Sequence, residues 1–215
     1  MQTYQAGDIR NLAVIGHGGC GKTILCEAML ASAKVIDRMG TIEAGNTISD
    51  YQPDEQKRQI SISATPLHLE WQGKKINVID TPGYSDFVGE VISSLSVVDM
   101  ALLVLSATQG LEVGSEQAWQ LASERGLPKL IVVNALDKEH TKFDEVVADA
   151  RERLGKKVFP LQIPLNAGPG FNRIADVIRS KVFTYKTDGS GAFEESDPPA
   201  DIKEKLSRLH QELIE

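Results

Sequence analysis

The stretch GHGGCGKT at residues 16–23 limits what this chain can fold into more than any other part of its sequence. The apolar residues before it, Leu12 to Ile15, predict a strand, and the run from Leu25 to Ala33 after it predicts a helix. The stretch matches G-x-x-x-x-G-K-[ST], a pattern whose backbone N–H groups and lysine hold phosphates. An accidental glycine-rich turn is the alternative, but the motif requires this strand, loop and helix context. The sequence therefore predicts a phosphate-binding loop.

Every residue of this loop is a candidate contact for a nucleotide. Lys22 is expected to reach the outer phosphates, and Thr23 to place its hydroxyl on Mg²⁺. The glycines allow a close backbone approach that a Cβ would obstruct, and the following helix presents its positive end to the anion. The predicted nucleotide-binding residues of the loop are Gly16, His17, Gly18, Gly19, Cys20, Gly21, Lys22, Thr23 and Ile24.

Composition excludes several classes of function. The 215 residues are 41% hydrophobic and 25% charged, which predicts one globular domain with room for a small appendage. No apolar run approaches the roughly 20 residues of a membrane span, and no signal-peptide core is present, so we expect a soluble, cytoplasmic protein without a membrane partner. The net charge of −7 argues against a nucleic-acid-coating surface, and we expect no sequence-specific DNA binding. Docking on a nucleoprotein stays open.

The two cysteines, Cys20 and Cys26, have no partners at metal-ligand spacing. We expect both to be reduced thiols. Cys20 at a helix N-terminus could be a reactive thiol with a lowered pKa, but a small residue tolerated in the loop is the favoured interpretation.

A second motif follows a polar interruption of the pattern. From Val35 to Arg58 apolar periodicity disappears, which predicts a long loop. Residues 60–71 then roughly alternate, Gln72 and Gly73 form a turn, and residues 75–79 predict the second strand of a hairpin. That strand ends in the sequence DTPG, residues 80–83.

The DTPG sequence suits a site that senses a terminal phosphate. The carboxylate of Asp80 can hold Mg²⁺ through water, and Gly83 can turn its backbone N–H toward the phosphate. Alone, DTPG would more often be an ordinary turn. Its place after a phosphate loop and an intervening strand favours the functional interpretation.

Strands and helices alternate in the next part of the chain. Residues 100–105 and 129–133 predict buried strands, and residues 112–125 predict the helix between them. Such alternation predicts an α/β fold with a mostly parallel sheet and helices on both faces. Ligands bind such sheets at the carboxyl ends of the strands, which is where all the candidate motifs fall.

The third motif, NALD, directly follows the strand that ends at Val133. The Asp137 carboxylate can accept hydrogen bonds from the ring N–H and the exocyclic amine of guanine, whereas adenine presents one donor and one acceptor there. Asn134 is expected to tie this turn to the phosphate loop. A strand-end cap is the alternative for this short pattern alone. Because it comes third in order after the other two motifs, it predicts guanine-nucleotide contacts at Asn134, Ala135, Leu136 and Asp137. The presence of Asp137 argues against an ATP-binding protein.

With these motifs, the chain resembles the translational GTPases, and within them elongation factor G and its divergent elongation factor G-like branch. The resemblance rests on four stretches and on the tail, which are GHGGCGKT, RQISI, DTPGYSDF, NALDK, VFPLQIPL and PPADIKEKLSRLHQELIE. It implies a P-loop NTPase core at residues 1–156, followed at residues 157–215 by the start of a small α+β inserted subdomain. The family chain is several times longer, so the resemblance implies an N-terminal piece of a larger factor. A stand-alone small GTPase is the alternative.

The resemblance also implies a ligand set. GTP or GDP is the expected nucleotide, Mg²⁺ the cofactor and the ribosome the partner of the intact factor. Ser61 falls where the family's switch threonine coordinates Mg²⁺, so the expected metal ligands are Thr23, Ser61 and Asp80. The expected catalytic residues are Lys22, Gly83 and Tyr84. We expect the loop from about Val35 to Ser61 to be mobile without GTP, because the Ser61 contact would order it.

Four positions depart from the family pattern. Tyr84 stands where the family has the histidine that orients the attacking water, and Gly19 stands where elongation factor G has an aspartate. Gln59 replaces the glycine before the switch hydroxyl, and Ala135 replaces a lysine whose stem usually covers the base. Two functions therefore stay open. One is a GTPase that is very slow without the ribosome, and the other is a module that senses guanine nucleotides with little or no hydrolysis.

Overall fold

The computed structural model describes residues 3–214, which form two compact units that divide between Asn134 and Ala135. The first unit holds the phosphate loop and a five-stranded sheet, and the second holds a four-stranded sheet. The boundary implied by the resemblance, between a core at 1–156 and a subdomain at 157–215, stays a prediction.

The first unit is built on a mostly parallel sheet. Its strands are β1 (Ile9–Ile15), β2 (Thr65–Trp71), β3 (Lys74–Asp80), β4 (Met100–Ser106) and β5 (Lys129–Asn134). Its helices are α1 (Lys22–Ser32), α2 (Pro53–Arg58), α3 (Val88–Leu95) and α4 (Val113–Glu124). The strand order is β2-β3-β1-β4-β5, with every pair parallel except the β2–β3 hairpin. This is the α/β arrangement that the alternation of strands and helices predicts.

Apolar side chains cover both faces of this sheet, since successive residues of a strand point to opposite faces. On one face Val14 packs with Cys26 and Leu30 of α1. On the other face Ile15 and Leu103 are fully buried, and α3 and α4 contact strands β1 and β4 there. Burial on both faces explains the near-continuous apolar runs of β1 and β4.

The polar stretch after α1 contains a helix that the sequence analysis missed. Helix α2 begins with Pro53 in its first turn, and Gln52 and Glu55 form a capping box across its N-terminus. The six residues of α2, PDEQKR, carry no apolar periodicity. The pattern that reveals longer amphipathic helices is therefore absent from the sequence.

Strand β2 begins at Thr65, five positions later than the alternation from Ile60 suggests. The backbone N–H groups of Ile62 and Ser63 donate to the Glu55 carboxylate instead of to a neighbouring strand. Buried N–H groups need one partner each. Because these N–H groups already donate to the carboxylate, they do not pair with a neighbouring strand.

The second unit contains a small antiparallel sheet. Its strands are β6 (Gln162–Pro164), β7 (Arg173–Asp176), β8 (Lys181–Tyr185) and β9 (Phe193–Ser196), which pair in that order. Its helices are α5 (Phe143–Arg153) and α6 (Ala200–Ile214). Leu206 and Leu209 of α6 pack with Ile163, Ala175 and Val182 of the sheet. This confirms the small α+β unit that the resemblance implies.

Residues 158–165, VFPLQIPL, are mostly apolar and strand-like, but β6 covers only three of them. Pro160 has no N–H to give to a strand partner, and prolines in sheets are confined to edges. Strand β6 is accordingly an edge strand. Within residues 3–214, no helix is both long and apolar enough to cross a bilayer.

Candidate nucleotide-binding site

The phosphate loop lies between β1 and α1, and neighbouring backbone packs closely against its glycines. A Cβ on Gly16 would lie 2.5 Å from the carbonyl oxygen of Val104. Gly21 has a left-handed φ of +93°, and a Cβ there would overlap the Asn134 side-chain amide. The same Asn134 amide donates to the Cys20 carbonyl at 3.0 Å. Asn134 therefore ties the end of β5 to the loop, as predicted.

Lys22 is a buried ammonium at the centre of the loop, only 5% exposed. Its Nζ donates to the carbonyl oxygens of Gly16 at 3.1 Å and His17 at 2.9 Å. In the described part of the chain it forms no ion pair with a carboxylate. An ammonium that donates to two carbonyls and to no carboxylate can turn to an anion that enters the loop.

The three predicted metal ligands lie together beside Lys22. The Thr23 Oγ1 and the Ser61 Oγ are 3.2 Å apart. Asp80 is 1% exposed, and neither of its carboxylate oxygens accepts a hydrogen bond of regular geometry within residues 3–214. Burial raises the pKa of Asp80 to about 6, and the nearby hydroxyls of Thr23 and Ser49 partly offset the rise. A buried carboxylate of this kind needs a positive partner.

Asp50 adds a second buried carboxylate, which the sequence analysis did not identify. Neither of its oxygens has a regular hydrogen bond among the described residues. Burial raises the pKa of Asp50, while the Ser61 hydroxyl works in the opposite direction. The charge of Asp50 also contributes to the raised pKa of Asp80, so the two carboxylates face a common space. Asp50 lies in a polar stretch without periodicity or motif, so no sequence pattern points to it.

This group of oxygens fits Mg²⁺. Hydroxyls and carboxylates are the ligands that this hard cation takes from proteins. Burial raises the pKa of both carboxylates and the nearby Lys22 ammonium partly offsets this rise, but one positive charge does not balance two negative ones. A divalent cation would neutralise the charge that remains. Residues 3–214 contain no group of three or more His, Cys, Asp or Glu side chains that could hold a metal. Mg²⁺ suits such a site because it usually keeps several waters and shares substrate phosphates.

Gly83 and Tyr84, which follow β3, pack against the phosphate loop. A Cβ on Gly83 would lie 2.6 Å from the backbone nitrogen of Gly18 and would overlap the Lys22 ammonium. The Tyr84 ring lies against Gly18 and is 43% exposed. The structure therefore brings the predicted residues after β3 against the phosphate loop.

His17 and Cys20 contribute main chain to the loop, and their side chains have other surroundings. The His17 Nε2 lies 3.4 Å from the Glu112 carboxylate, and the His17 backbone N–H donates to the Ser115 hydroxyl at the start of α4. Cys20 and Cys26 are free and buried. Burial raises the pKa of both thiols, which disagrees with a reactive Cys20.

The NALD motif begins at the end of the first unit and continues into the second. Ala135 has a left-handed φ of +60°, and the Leu136 carbonyl accepts a hydrogen bond from the Gly168 N–H at 2.7 Å. The Asp137 side chain is 62% exposed, with its carboxylate 3.9 Å from the Lys138 ammonium. A weakly paired, exposed carboxylate is available to a ligand.

Residues 7–205 match the family described as the elongation factor Tu GTP binding domain. The chain belongs to this family. This GTP-binding domain is 34% identical over 208 residues to the "Elongation factor G-like protein" of Thermotoga maritima, covering 97% of the chain and 29% of that relative. It is 35% identical over 215 residues to "Elongation factor G 2" of Streptomyces coelicolor, covering 100% of the chain and 31% of that relative.

A solved structure shares the fold of the GTP-binding domain. The crystal structure of a protein from Thermus thermophilus superposes with a TM-score of 0.89 at 34% identity, covering 97% of this chain and 31% of that one. The chain thus spans about three tenths of the length of the relatives it matches. The predicted resemblance to elongation factor G and the predicted P-loop fold are confirmed.

Proposed function

We propose that this chain is the GTP-binding and GTP-hydrolysing domain of an elongation factor G-like translation factor, which acts on the ribosome in the cytoplasm. The observation that carries the proposal is the convergence of Lys22, Thr23, Ser61 and Asp80. One buried ammonium, two hydroxyls 3.2 Å apart and an unsatisfied carboxylate meet beside the phosphate loop. Membership of a GTP-binding family supports guanine nucleotide as the ligand.

Asp137 selects the base in this proposal. Its carboxylate accepts hydrogen bonds from the ring N–H and amine of guanine, and adenine would leave one of these contacts mismatched. Asn134 holds the phosphate loop through the Cys20 carbonyl. Ala135 makes little packing contact with the base, because its methyl side chain is too short to extend over the ring.

In this proposal, each residue around the loop has its own role toward the phosphates. Mg²⁺ would be held by the hydroxyls of Thr23 and Ser61 and the carboxylate of Asp80, and would neutralise charge that develops on the phosphates. Lys22 exchanges the carbonyls of the loop for phosphate oxygens. The Gly83 N–H donates to the terminal phosphate. Phosphoryl transfer needs this positioning and charge stabilisation more than covalent chemistry from the protein.

Tyr84 takes the place of the water-orienting residue. A phenol can hydrogen-bond a water molecule, but unlike an imidazole it does not readily share its proton near neutral pH. We therefore propose a basal turnover on the order of 10⁻⁴ to 10⁻³ s⁻¹ or below, typical of an unassisted GTPase. The ribosome supplies the remaining acceleration.

A second candidate function is a module that senses GTP and GDP without effective hydrolysis. The packing of the Tyr84 ring on Gly18 favours it, because a side chain that serves as scaffold would pack in this way. In this alternative the nucleotide controls the conformation of the residues after β3, and hydrolysis is not needed for each cycle.

Multiple-turnover phosphate release by the full-length protein, with and without ribosomes, separates the two functions. The GTPase proposal predicts ribosome-stimulated release that Lys22→Ala abolishes. Lys34→Ala serves as the control, because Lys34 is an exposed lysine just beyond α1. Tight GTP binding without ribosome-stimulated release would favour the sensing module instead.

A further inference from the structure

Glu27 is a buried acid of α1 that contacts the polar stretch after the helix. Its side chain is 1% exposed. One carboxylate oxygen accepts the N–H of Gly40 and the other accepts the N–H of Ile48, both at 2.7 Å. Among residues 3–214 this carboxylate forms no ion pair. Both ends of the segment 40–48 are therefore fixed to the helix that begins at Lys22.

Glu55 is a second buried acid with the same kind of contacts, and it lies on α2. One of its oxygens accepts the N–H groups of Ile62 at 2.9 Å and Ser63 at 3.0 Å. The other accepts the N–H of Gln52 at 3.3 Å. The first two donors follow Ser61 directly in the chain. By holding the backbone directly after Ser61, Glu55 fixes the position of the Ser61 hydroxyl.

Burying an ionised carboxylate is costly unless strong hydrogen bonds replace its water. N–H groups that donate to a carboxylate form charge-assisted hydrogen bonds, which are about twice as strong as neutral ones. An amide at either position would lose one acceptor atom and turn an NH₂ group toward a backbone N–H. The contacts of Glu27 and of Glu55 therefore need two acceptor oxygens, which a carboxylate has and an amide of the same shape lacks.

We propose that Glu27 and Glu55 are positioning residues for the metal site. Glu55 holds the Ser61 hydroxyl beside Thr23, and Glu27 holds the segment 40–48 against the phosphate-loop helix. This inference rests on the proposed function, because Ser61 matters as a ligand only when GTP and Mg²⁺ bind. It differs from the sequence-based expectation of a loop from about Val35 to Ser61 that is mobile throughout without GTP, because Glu27 holds Gly40 and Ile48, and Glu55 holds Ile62 and Ser63, before nucleotide binds.

Nucleotide binding at varied Mg²⁺ concentration tests the role of Glu55 in the full-length protein. Glu55→Gln should raise the Mg²⁺ concentration for half-maximal binding of a non-hydrolysable GTP analogue about tenfold, because Ser61 is displaced from Thr23. GDP binding in EDTA should change less than about twofold, since the phosphate loop is unaltered. Asp54→Asn on the exposed side of α2 is the matched control. Equal Mg²⁺ requirements for Glu55→Gln and Asp54→Asn would overturn the role of Glu55.

Hydrogen exchange of the nucleotide-free protein tests both residues without relying on nucleotide. The amides of Gly40, Ile48, Ile62 and Ser63 should exchange slowly in the wild type. Glu27→Gln should accelerate exchange at 40 and 48, while Glu43→Gln, an exposed acid of the same segment, should not. Fast exchange at all four amides in the wild type would overturn the inference even if the Gln variants did not fold. If the wild type bound no GTP, the proposed function would fail. The exchange rates would still show whether Glu27 and Glu55 hold these four amides.

Discussion

The ring of Tyr84 lies so close to Gly18 that a Cβ at position 18 would be 2.8 Å from the ring Cζ. Tyr84, which we propose at the water-orienting position, is thus packed on the phosphate loop itself. This contact favours glycine at position 18, where the φ is not left-handed, because a Cβ would push the half-exposed Tyr84 ring away from the loop. A movement of the Tyr84 ring during a nucleotide cycle would therefore expose Gly18 of the phosphate loop.

This contact predicts a coupled effect of two substitutions. Gly18→Ala should lower the free energy of unfolding by about 1 kcal/mol, the low end of the cost of overpacking, because the new methyl group overlaps the half-exposed Tyr84 ring. In the double variant Gly18→Ala with Tyr84→Ala, most of that loss should be recovered. Urea unfolding of the wild type, both single variants and the double variant gives the coupling energy. Additive losses would mean that the contact does not limit position 18.

Substitutions at Tyr84 alone test its part in hydrolysis. If Tyr84 limits the chemistry, Tyr84→His should raise ribosome-stimulated turnover roughly tenfold or more, because a positioned acid–base group contributes 10² to 10⁴. Tyr84→Phe should abolish the contribution of the phenol. Phosphate release with ribosomes is the measurement, with GTP affinity as the control. Unchanged turnover in both variants would leave water positioning to the backbone, Mg²⁺ and the ribosome.

The buried carboxylate of Asp80 predicts a pH-dependent stability in EDTA without nucleotide. Its pKa of about 6 lies above the ordinary aspartate value, so the folded state binds this proton more tightly than the unfolded state. The contribution of Asp80 to stability therefore falls as pH rises from about 4 to about 6 and stays low above that. Asp80→Asn removes this cost and should exceed the wild type by up to about 3 kcal/mol at pH 8.

Urea unfolding of both proteins from pH 4 to pH 8 measures this difference. The gap between Asp80→Asn and the wild type should shrink toward pH 4, where the wild-type carboxyl is protonated. Adding Mg²⁺ and GTP should reverse the order, since only the wild type can bind the cation through Asp80. A gap that does not vary with pH would contradict the burial of an ionised Asp80.

The sequence was sufficient to predict those parts of the fold that have strong hydrophobic periodicity or a recognisable motif. The parallel sheet, the β2–β3 hairpin, the phosphate loop and the link from Asn134 to Cys20 all follow from local patterns. Helix α2, Asp50 and the contacts of Glu27 and Glu55 do not, because they depend on tertiary contacts within a polar stretch that has no periodicity. A carboxylate that caps distant N–H groups leaves no signature in the spacing of residues.

Two glycines of the segment around β3 and α3 provide a matched test of the close approach at the loop. Gly83→Ala should weaken GTP binding at least tenfold, because its Cβ would overlap the Lys22 ammonium and press on the Gly18 nitrogen. Gly89→Ala should leave binding unchanged, since a Cβ there meets no atom within 4 Å. Gly89→Ala should also stabilise α3 by up to about 1 kcal/mol. Nucleotide titration checks the first effect, and equal GTP affinity in the two variants would contradict it.

Competition for labelled GTP in the presence of Mg²⁺ tests the central claim most directly. Unlabelled GTP and GDP should displace the label from the wild-type protein, and ATP should not do so even in large excess, if Asp137 takes two donors from the base as proposed. Asp137→Asn should bind GTP more weakly and xanthosine triphosphate better, since the amide can donate to the xanthine carbonyl. Displacement by ATP as effective as that by GTP, or equal loss of both nucleotides in Asp137→Asn, would contradict a guanine-nucleotide site.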